Sequence, residues 1–347
     1  MIVREHRRTA GPALERSIVR SWRKLTGGHA TRDAERRTLL ACSGGADSTA
    51  LVLALGCRHV GHVAVAHVVH DLRPREDTAA DRDTVAELCE RLGLTFVSTA
   101  VRVASLPGNT EDHARRARYD ALAMLAREQG CRYVATAHHA EDQLESVLMA
   151  LLRGSGPRGL AGMAARRPLS GGVELVRPML ECSRRDARDL CESVGVRWRE
   201  DATNRDTSRL RARLRQTVVP ELTAERSGLG RRLAHHRELL TLAADRLDDE
   251  ARRITDHAEV GTATRRLETR YVEACERPIV HAALRRLSAE LSQGAGLDRL
   301  SRRSLEPVAD AVLASDGRER TIAVGRWRYT VARGRLTITD LQQEPTE

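Results

Sequence analysis

The sequence predicts an α/β fold, a doubly wound parallel sheet followed by a helical region and a small C-terminal β-rich domain. Three observations carry that prediction. Short apolar runs at 38–42 (TLLAC), 62–69 (HVAVAHVV), 94–101 (LTFVSTAV) and 131–137 (CRYVATA) are rich in β-branched residues and not polar on alternate positions, as in strands buried on both faces. Helical stretches lie between them at 47–57, 77–92 and 110–129, and such alternation builds a parallel sheet. The tail RTIAVGRWRYTVARGRLTIT (320–339) instead alternates with period two around Gly325 and Gly334, the pattern of an antiparallel meander.

Taken in order, residues 1–37 hold an arginine-rich amphipathic helix at 11–25 and a turn at Thr26-Gly27-Gly28. The stretch 110–129 carries Tyr119, Leu122, Leu125 and Ala126 on one stripe. After a helix at 140–153, Gly154-Ser155-Gly156-Pro157 ends helical structure, and the glycine-rich 154–163 segment reads as a connector or a lid. A strand-like VELVRP (173–178), a helix near 183–194 and the polar EDATNRDTS (200–208) follow. From Leu210 to Leu291 the pattern is almost wholly helical, broken at Pro220 and Pro278. Boundaries near 218 and 295 give three expected domains: nucleotide-binding (1–218), helical (219–295) and a small α+β domain (296–347).

With 347 residues, 41% apolar and 31% charged, the chain can bury a core, which excludes small stapled scaffolds and disordered polymers. Lys and Arg total 58 against 48 Asp and Glu, a net charge of +10, and Lys24 is the only lysine. Guanidinium forks suit phosphates and stacked bases, so a polyanionic partner is plausible. A Walker-type loop ends in lysine, so a nucleotide site here must do without one. Seven cysteines with no C-x-x-C pair argue against zinc ribbons, iron–sulfur ligation and a secreted disulfide framework. The N-terminal segment has no apolar signal core and no run of 18 apolar residues occurs, so a cytoplasmic protein without a membrane partner is expected.

The most informative stretch is Ser43-Gly44-Gly45-Ala46-Asp47-Ser48, where the first strand ends and a helix begins. Such a turn aims backbone N–H groups at the positive end of a helix and forms an anion cradle. Glycines admit a phosphate closely, while Ser43 and Ser48 add hydroxyl donors. Asp47 would repel a phosphate unless a Mg²⁺ ion stood between them, so its presence predicts a metal-bridged pyrophosphate. The plainer alternative is a strand-to-helix turn capped by Asp47 or Ser48.

S-G-G-x-D-S is the hallmark of the PP-loop, or N-type ATP pyrophosphatase, superfamily, which the chain resembles. Within it, Thr136-Ala137-His138-His139-Ala140-Glu141-Asp142-Gln143-Leu144-Glu145-Ser146 resembles the T-A-H-H-x-x-D-Q-x-E-T segment of the tRNA(Ile)-lysidine synthetase family. Further collinear matches are His70-Asp71-Leu72-Arg73, Arg115-Arg116-Ala117-Arg118-Tyr119, Leu151 to Met163, Arg177-Pro178-Met179-Leu180, Glu200 to Asn204, and Arg211-Ala212-Arg213-Leu214-Arg215 before Pro220. The chain departs from the family pattern at Val69, Asp71, Glu141 and Ala212, which bears on fine substrate contacts.

The resemblance implies ATP and Mg²⁺ as cofactors, a CAU-anticodon tRNA(Ile) and free L-lysine as partners, and adenylation of the wobble cytidine before lysine displaces AMP. Site residues then follow: Ser43 to Ser48 for the nucleotide, Asp47 for the metal, Asp47, Arg118, His138, Asp142 and Arg211 for catalysis, and Glu141, Gln143, Glu145 and Arg215 for substrate. Trp198 and Trp327 are candidates to stack on RNA, though core positions suit them better. Rivals are a tRNA 2-thiolation enzyme of the same superfamily and a non-catalytic RNA-binding protein. The oligomeric state, a homodimer included, is left open.

Overall fold

In the computed structural model, residues 12–27, 36–71, 75–102, 110–199, 210–226, 228–294, 296–297, 300–314 and 316–343 are described. The chain divides into two compact units, Met1–Ser146 with Met163–His235, and Val147–Gly162 with His236–Glu347. The boundary expected near 295 therefore falls inside the second unit. The one expected near 218 lies some way before the break in the helix that follows.

In the first unit, helix α1 (Pro12–Leu25) leads to strand β1 (Thr38–Ala41), helix α2 (Ala46–Gly56), β2 (Val63–His70), α3 (Arg75–Leu92), β3 (Thr95–Val101), α4 (Thr110–Glu128), β4 (Tyr133–Ala135) and α5 (Ala140–Leu152). After the one-turn helix α6 (Pro157–Leu160), which is part of the second unit, the first unit resumes with β5 (Arg166–Pro168), β6 (Glu174–Val176) and α7 (Arg184–Ser193). Six strands run in the order β3-β2-β1-β4-β6-β5. All neighbours are parallel except β5, which is antiparallel to β6.

Alternate residues of β1 and β2 serve opposite layers, as the pleat requires. Leu40 and Val65 join α1, α2, α3 and α7 in one core, with Trp22 and Leu51 fully enclosed. Leu39 and Ala64 join α4 through Tyr119, Leu122 and Ala126 in the other. Helix α2 is buried from Ser48 to Gly56, which its unbroken apolar run demands. A reciprocal cap starts α7: Asp186 N–H donates to Ser183 Oγ at 3.1 Å, and Ser183 N–H to Asp186 Oδ2 at 2.9 Å.

Two expectations need correction. The run 94–101 is not buried on both faces: β3 is an edge strand whose residues are mostly half-exposed or exposed. The span 210–291 is not wholly helical either. After α8 (Leu210–Arg213), α9 (Val219–Glu225) and α10 (Leu229–Thr255) come strands β7 (Glu259–Val260) and β8 (Thr264–Glu268), and only then α11 (Arg277–Leu291).

The second unit closes with α12 (Arg302–Leu313), β9 (Arg320–Val324), β10 (Trp327–Ala332) and β11 (Arg335–Asp340). The expected meander is present, extended by β8 and β7 into a five-stranded antiparallel sheet, β7-β8-β11-β10-β9. Its inner face packs Trp327, Tyr329, Leu336 and Ile338 on α11 and α12. Trp327 is fully enclosed and its indole N–H donates to the Ser288 carbonyl at 3.2 Å, so it is a core residue.

Candidate active site

Strands β1 and β4 are neighbours, while the chain leaves β1 for β2 on its other side. The order reverses there, and ligands of open α/β sheets bind beyond the carboxyl ends of strands at such a point. The glycine loop after β1 and the T-A-H-H segment after β4 thus share one crevice.

Gly44 sits at φ +89°, a left-handed conformation that favours glycine. Gly45 occupies the N-cap of α2 with no side-chain cap, so the first-turn amides of Ala46, Asp47 and Ser48 face the crevice without intrahelical acceptors. Ser48 differs from the sequence expectation. Its hydroxyl donates to the Gly45 carbonyl at 3.0 Å, accepts the Ser43 N–H at 3.1 Å and lies 3.2 Å from the Ser43 hydroxyl, so it holds the loop's shape, while Ser43 itself is exposed. Arg199 braces the turn from outside: its N–H donates to the Gly44 carbonyl at 3.0 Å, and its Nε lies 2.6 Å from Asp81, which packs on Gly44. Nothing local in the sequence marks Arg199 and Asp81 for this role.

His139 is the hub of the second segment. As N-cap of α5 it offers its N–H to Asp142 Oδ2 at 3.0 Å, and the Asp142 N–H approaches its Nδ1 at 3.4 Å, a reciprocal arrangement like a capping box that fixes both side chains. Its ring meets three carboxylates: Nε2 lies 3.5 Å from Asp47 and 3.5 Å from Asp142, and Nδ1 lies 3.0 Å from Glu141. Burial opposes the charged ring, but Asp142, Asp47 and Glu141 outweigh it and push the His139 pKa up to about 10, so the imidazolium persists at neutral pH. Asp142 is correspondingly held down: burial would raise it, yet His139 and Arg215 bring it to about 2.

Sequence reasoning favoured His138 over its neighbour. His138 instead pairs with the Thr136 hydroxyl at 2.8 Å, and burial drives its pKa down to about 3, so it is neutral and a weak base. The signal that distinguishes the pair is positional: His139 precedes an acidic third helical residue, the spacing of a cap.

Glu145 is fully buried, where a bare carboxylate would be costly. Arg215 satisfies it at 2.7 Å and 3.0 Å and reaches Asp142 at 2.9 Å, while Arg211 adds a longer contact at 3.4 Å. Arg211 and Arg215 therefore share a face, as their four-residue spacing predicts. Arg215 lies in a wide π-type turn, Leu214–Val218, before Pro220, whose missing N–H disfavours ordinary helical bonding. Arg213 is exposed.

Among the other expected site residues, Glu141 accepts the Arg184 N–H at 3.0 Å, and Gln143 is buried with its carbonyl accepting the Met163 N–H at 2.7 Å. Both thus have structural duties. Arg118 is exposed on α4, over the opposite face of the sheet from α2. The segments holding Leu72-Arg73, Glu200 to Asn204 and Arg209 lie outside the described residues. Of the 154–163 segment, all but Met163 belongs to the second unit; it contains α6, whose Arg158 bonds Asp245 at 2.7 Å and Asp248 at 2.5 Å.

The donor set suits a magnesium ion. Asp47 Oδ1 is buried without a hydrogen-bond partner beside the phosphate cradle, and this cation takes one or two carboxylates together with substrate phosphates. Of the seven cysteines, six are buried and Cys275 half-buried, and no group of three or more His, Cys, Asp or Glu is arranged to hold a metal among the described residues.

The PP-loop domain model matches residues 14–222. The tRNA(Ile)-lysidine synthase of Salinispora tropica is 37% identical over 314 residues, covering 87% of this chain and 90% of that protein. Those of Rhodopirellula baltica and Deinococcus deserti are 36% and 40% identical over 229 residues each, or 60% and 65% of this chain. The chain covers only 56% and 41% of the length of those two. Among solved structures, the U34-tRNA thiolase NcsA of Methanococcus maripaludis, which carries a [4Fe-4S] cluster, superposes with a TM-score of 0.54 at 16% identity over 67% of this chain and 81% of its own, a likeness of fold. By the span of the domain match and by its near full-length relative, the chain belongs to the PP-loop family, on the branch of the tRNA(Ile)-lysidine synthases.

Proposed function

We propose that this protein is a ligase that joins lysine to C2 of the wobble cytidine (C34) of a CAU-anticodon tRNA(Ile), using ATP through an adenylated intermediate and releasing AMP and pyrophosphate. The observation that carries the reading is the crevice itself: an anion cradle, Gly44 to Ser48, beside a carboxylate–imidazolium cluster centred on His139. One end suits a nucleotide's phosphates and the other an amine.

The chemistry divides into two displacements. The C2 oxygen of cytidine attacks the α-phosphorus of ATP, and the bond to the β-phosphate oxygen breaks. The loop amides and the Ser43 hydroxyl receive the departing charge, because preorganised donors stabilise what develops in the transition state. Magnesium, held by Asp47, would neutralise charge on the pyrophosphate. The lysine amine, having lost a proton to water, then attacks C2, the C2–O bond breaks, AMP leaves, and the second proton on the attacking nitrogen also passes to water.

Four acids, Asp47, Glu141, Asp142 and Glu145, face three cations, His139, Arg211 and Arg215, so the protein's own groups leave the cluster net negative and suited to cationic guests, a magnesium ion at Asp47 among them. With its pKa near 2, Asp142 is suited to orient the ammonium group of lysine, not to take its proton. His138, neutral with a pKa near 3, is similarly unsuited to act as the base and fits a hydrogen-bond acceptor role. Arg211 is the less committed cation of its pair and is placed to meet the α-phosphate, whereas Arg118, on α4 over the other face of the sheet, is not given that role.

The thiolation alternative lacks a specific observation in its favour, since six cysteines are buried and none is paired in a ligating group among the described residues. The reading is tested by incubating the protein with ATP, Mg²⁺, labelled lysine and a CAU-anticodon transcript. AMP release coupled to lysine incorporation is expected; the absence of both would overturn the reading.

A further inference from the structure

On the α4 side of β4, a second charged cluster surrounds one phenol. The Arg115 guanidinium lies 5.1 Å from the Tyr119 ring centre and that of Arg167 lies 4.7 Å from it. Arg177 hydrogen-bonds the Tyr119 side chain and is 3% exposed. Its Nη1 donates to the Ala164 carbonyl at 2.5 Å, which leaves Nε buried without a partner. Arg118 stands one residue from the same ring.

No ion-paired carboxylate joins these guanidinium groups among the described residues, whereas the part-buried guanidiniums of Arg215 and Arg326 each have one. Burial, with the nearby Arg167 and Arg115 charges adding to it, pulls the Arg177 pKa below the usual guanidinium value, though a guanidinium remains charged. Assembling like charges around a buried one is costly unless an anion joins them. Tyr119 lowers the cost by cation–π contact and one hydrogen bond but brings no negative charge.

We infer that Arg115, Arg167 and Arg177 form a phosphate subsite, and that its occupant is a backbone phosphodiester of the RNA next to the reacting base. The inference rests on the RNA substrate proposed above. Three features favour the RNA over the nucleotide. The cradle for ATP phosphates lies at α2, which packs on the opposite face of the sheet from α4. The cluster lies near His138, whose charge Arg177 and Arg115 both disfavour and which directly precedes His139 of the crevice, on the side from which an unstacked base could enter. Arg115 and Arg167 are only half-buried and so open to a bulky ligand.

The test uses the full chain and an anticodon stem-loop RNA ending in no triphosphate. Fluorescence anisotropy gives its Kd across a salt series for wild type, Arg115→Ala, Arg167→Ala and Arg167→Lys, and equilibrium dialysis gives the Kd of a non-hydrolysable ATP analogue. Each alanine variant is expected to weaken RNA binding at least tenfold and to lower the slope of log K against log salt by about 0.7, the value for one phosphate contact on a single strand. Arg167→Lys should restore most of the slope, and ATP-analogue affinity should stay within twofold. An unchanged RNA Kd and slope, or a loss confined to the ATP analogue, would overturn the assignment. Melting curves identify a misfolded variant, in which case the charge-removing but similarly sized Arg115→Gln and Arg167→Gln pair decides by the same slope. Lysine incorporation by the wild type is read separately, so a failed ligase reading with intact RNA binding is told apart from a failed phosphate subsite.

Discussion

Deleting the imidazole of His139 strips three carboxylates of the cation they share, and its cost can be worked from the contacts. In His139→Ala, Asp47, Glu141 and Asp142 would face one another with Arg215 reaching only Asp142. Removing one partner of a buried ion pair costs about 3–5 kcal/mol. For a unit of this size each kcal/mol moves the melting temperature by about 2–4 °C, which gives a drop of roughly 6–20 °C at pH 7.5. The pH dependence carries a second signature. The folded-state pKa of His139 is raised from 6.5 to about 10, so its stabilisation is complete below pH 6.5 and is lost as pH rises through 10. Asp142 runs the other way: lowered from 3.8 to about 2, it contributes above pH 3.8 and loses that contribution as pH falls through 2. Wild type should therefore lose melting temperature from pH 6.5 to 10, while the variant lacks that slope and the gap between them narrows. Circular dichroism melts from pH 4 to 10 read both effects. Parallel profiles above pH 6.5, or a variant within about 2 °C of wild type at pH 7.5, would refute the imidazolium hub.

Other residues give sharper single outcomes. Asp47→Ala should abolish AMP release while the RNA Kd stays within a few-fold in anisotropy, because Asp47 serves the nucleotide end of the crevice; equal turnover would remove it from the mechanism. Gly44→Ala meets no overlap, its nearest neighbour being 3.6 Å away, yet must hold φ +89°, so it should cost about 1–3 kcal/mol and weaken ATP-analogue binding in dialysis. Arg215→Ala leaves buried Glu145 with only the 3.4 Å contact to Arg211, so it should lower the melting temperature more than Arg211→Ala, whereas Arg211→Ala should fall mainly on turnover. Trp327→Ala empties the centre of the second unit's core and should cost about 3–5 kcal/mol, read as an earlier melting transition.

The parallel sheet was legible because β1, β2 and β4 are covered on both faces and so carry unbroken apolar runs. Where a strand owes its existence to a neighbour's edge, the local pattern carries little of it. Thr264–Glu268 reads TRRLE, with only Leu267 buried, and is a strand because it pairs residue by residue with β11. Arg166–Pro168 is similar: two arginines and a proline make a poor strand signal, but an antiparallel sheet edge tolerates them. The glycine loop was legible for a different reason, since its φ and its open amides are properties of the local turn.

The His139 cluster shows what sequence cannot resolve. His138 and His139 are chemically the same, and a register of one residue decides which becomes a buried imidazolium and which a neutral ring bonded to Thr136. That register is set by where α5 begins, because the N-cap residue exchanges contacts with Asp142 while the residue before it bonds Thr136. The same boundary separates two opposite electrostatic environments. On one side Asp47, Glu141 and Asp142 converge on His139, and on the other Arg115 and Arg177 suppress the charge of His138. A helix starting one residue earlier would exchange the two rings, giving the acids a ring without its cap and the arginines an imidazolium to repel. The start of α5 is therefore as much a part of the site's chemistry as the side chains that touch the reacting atoms.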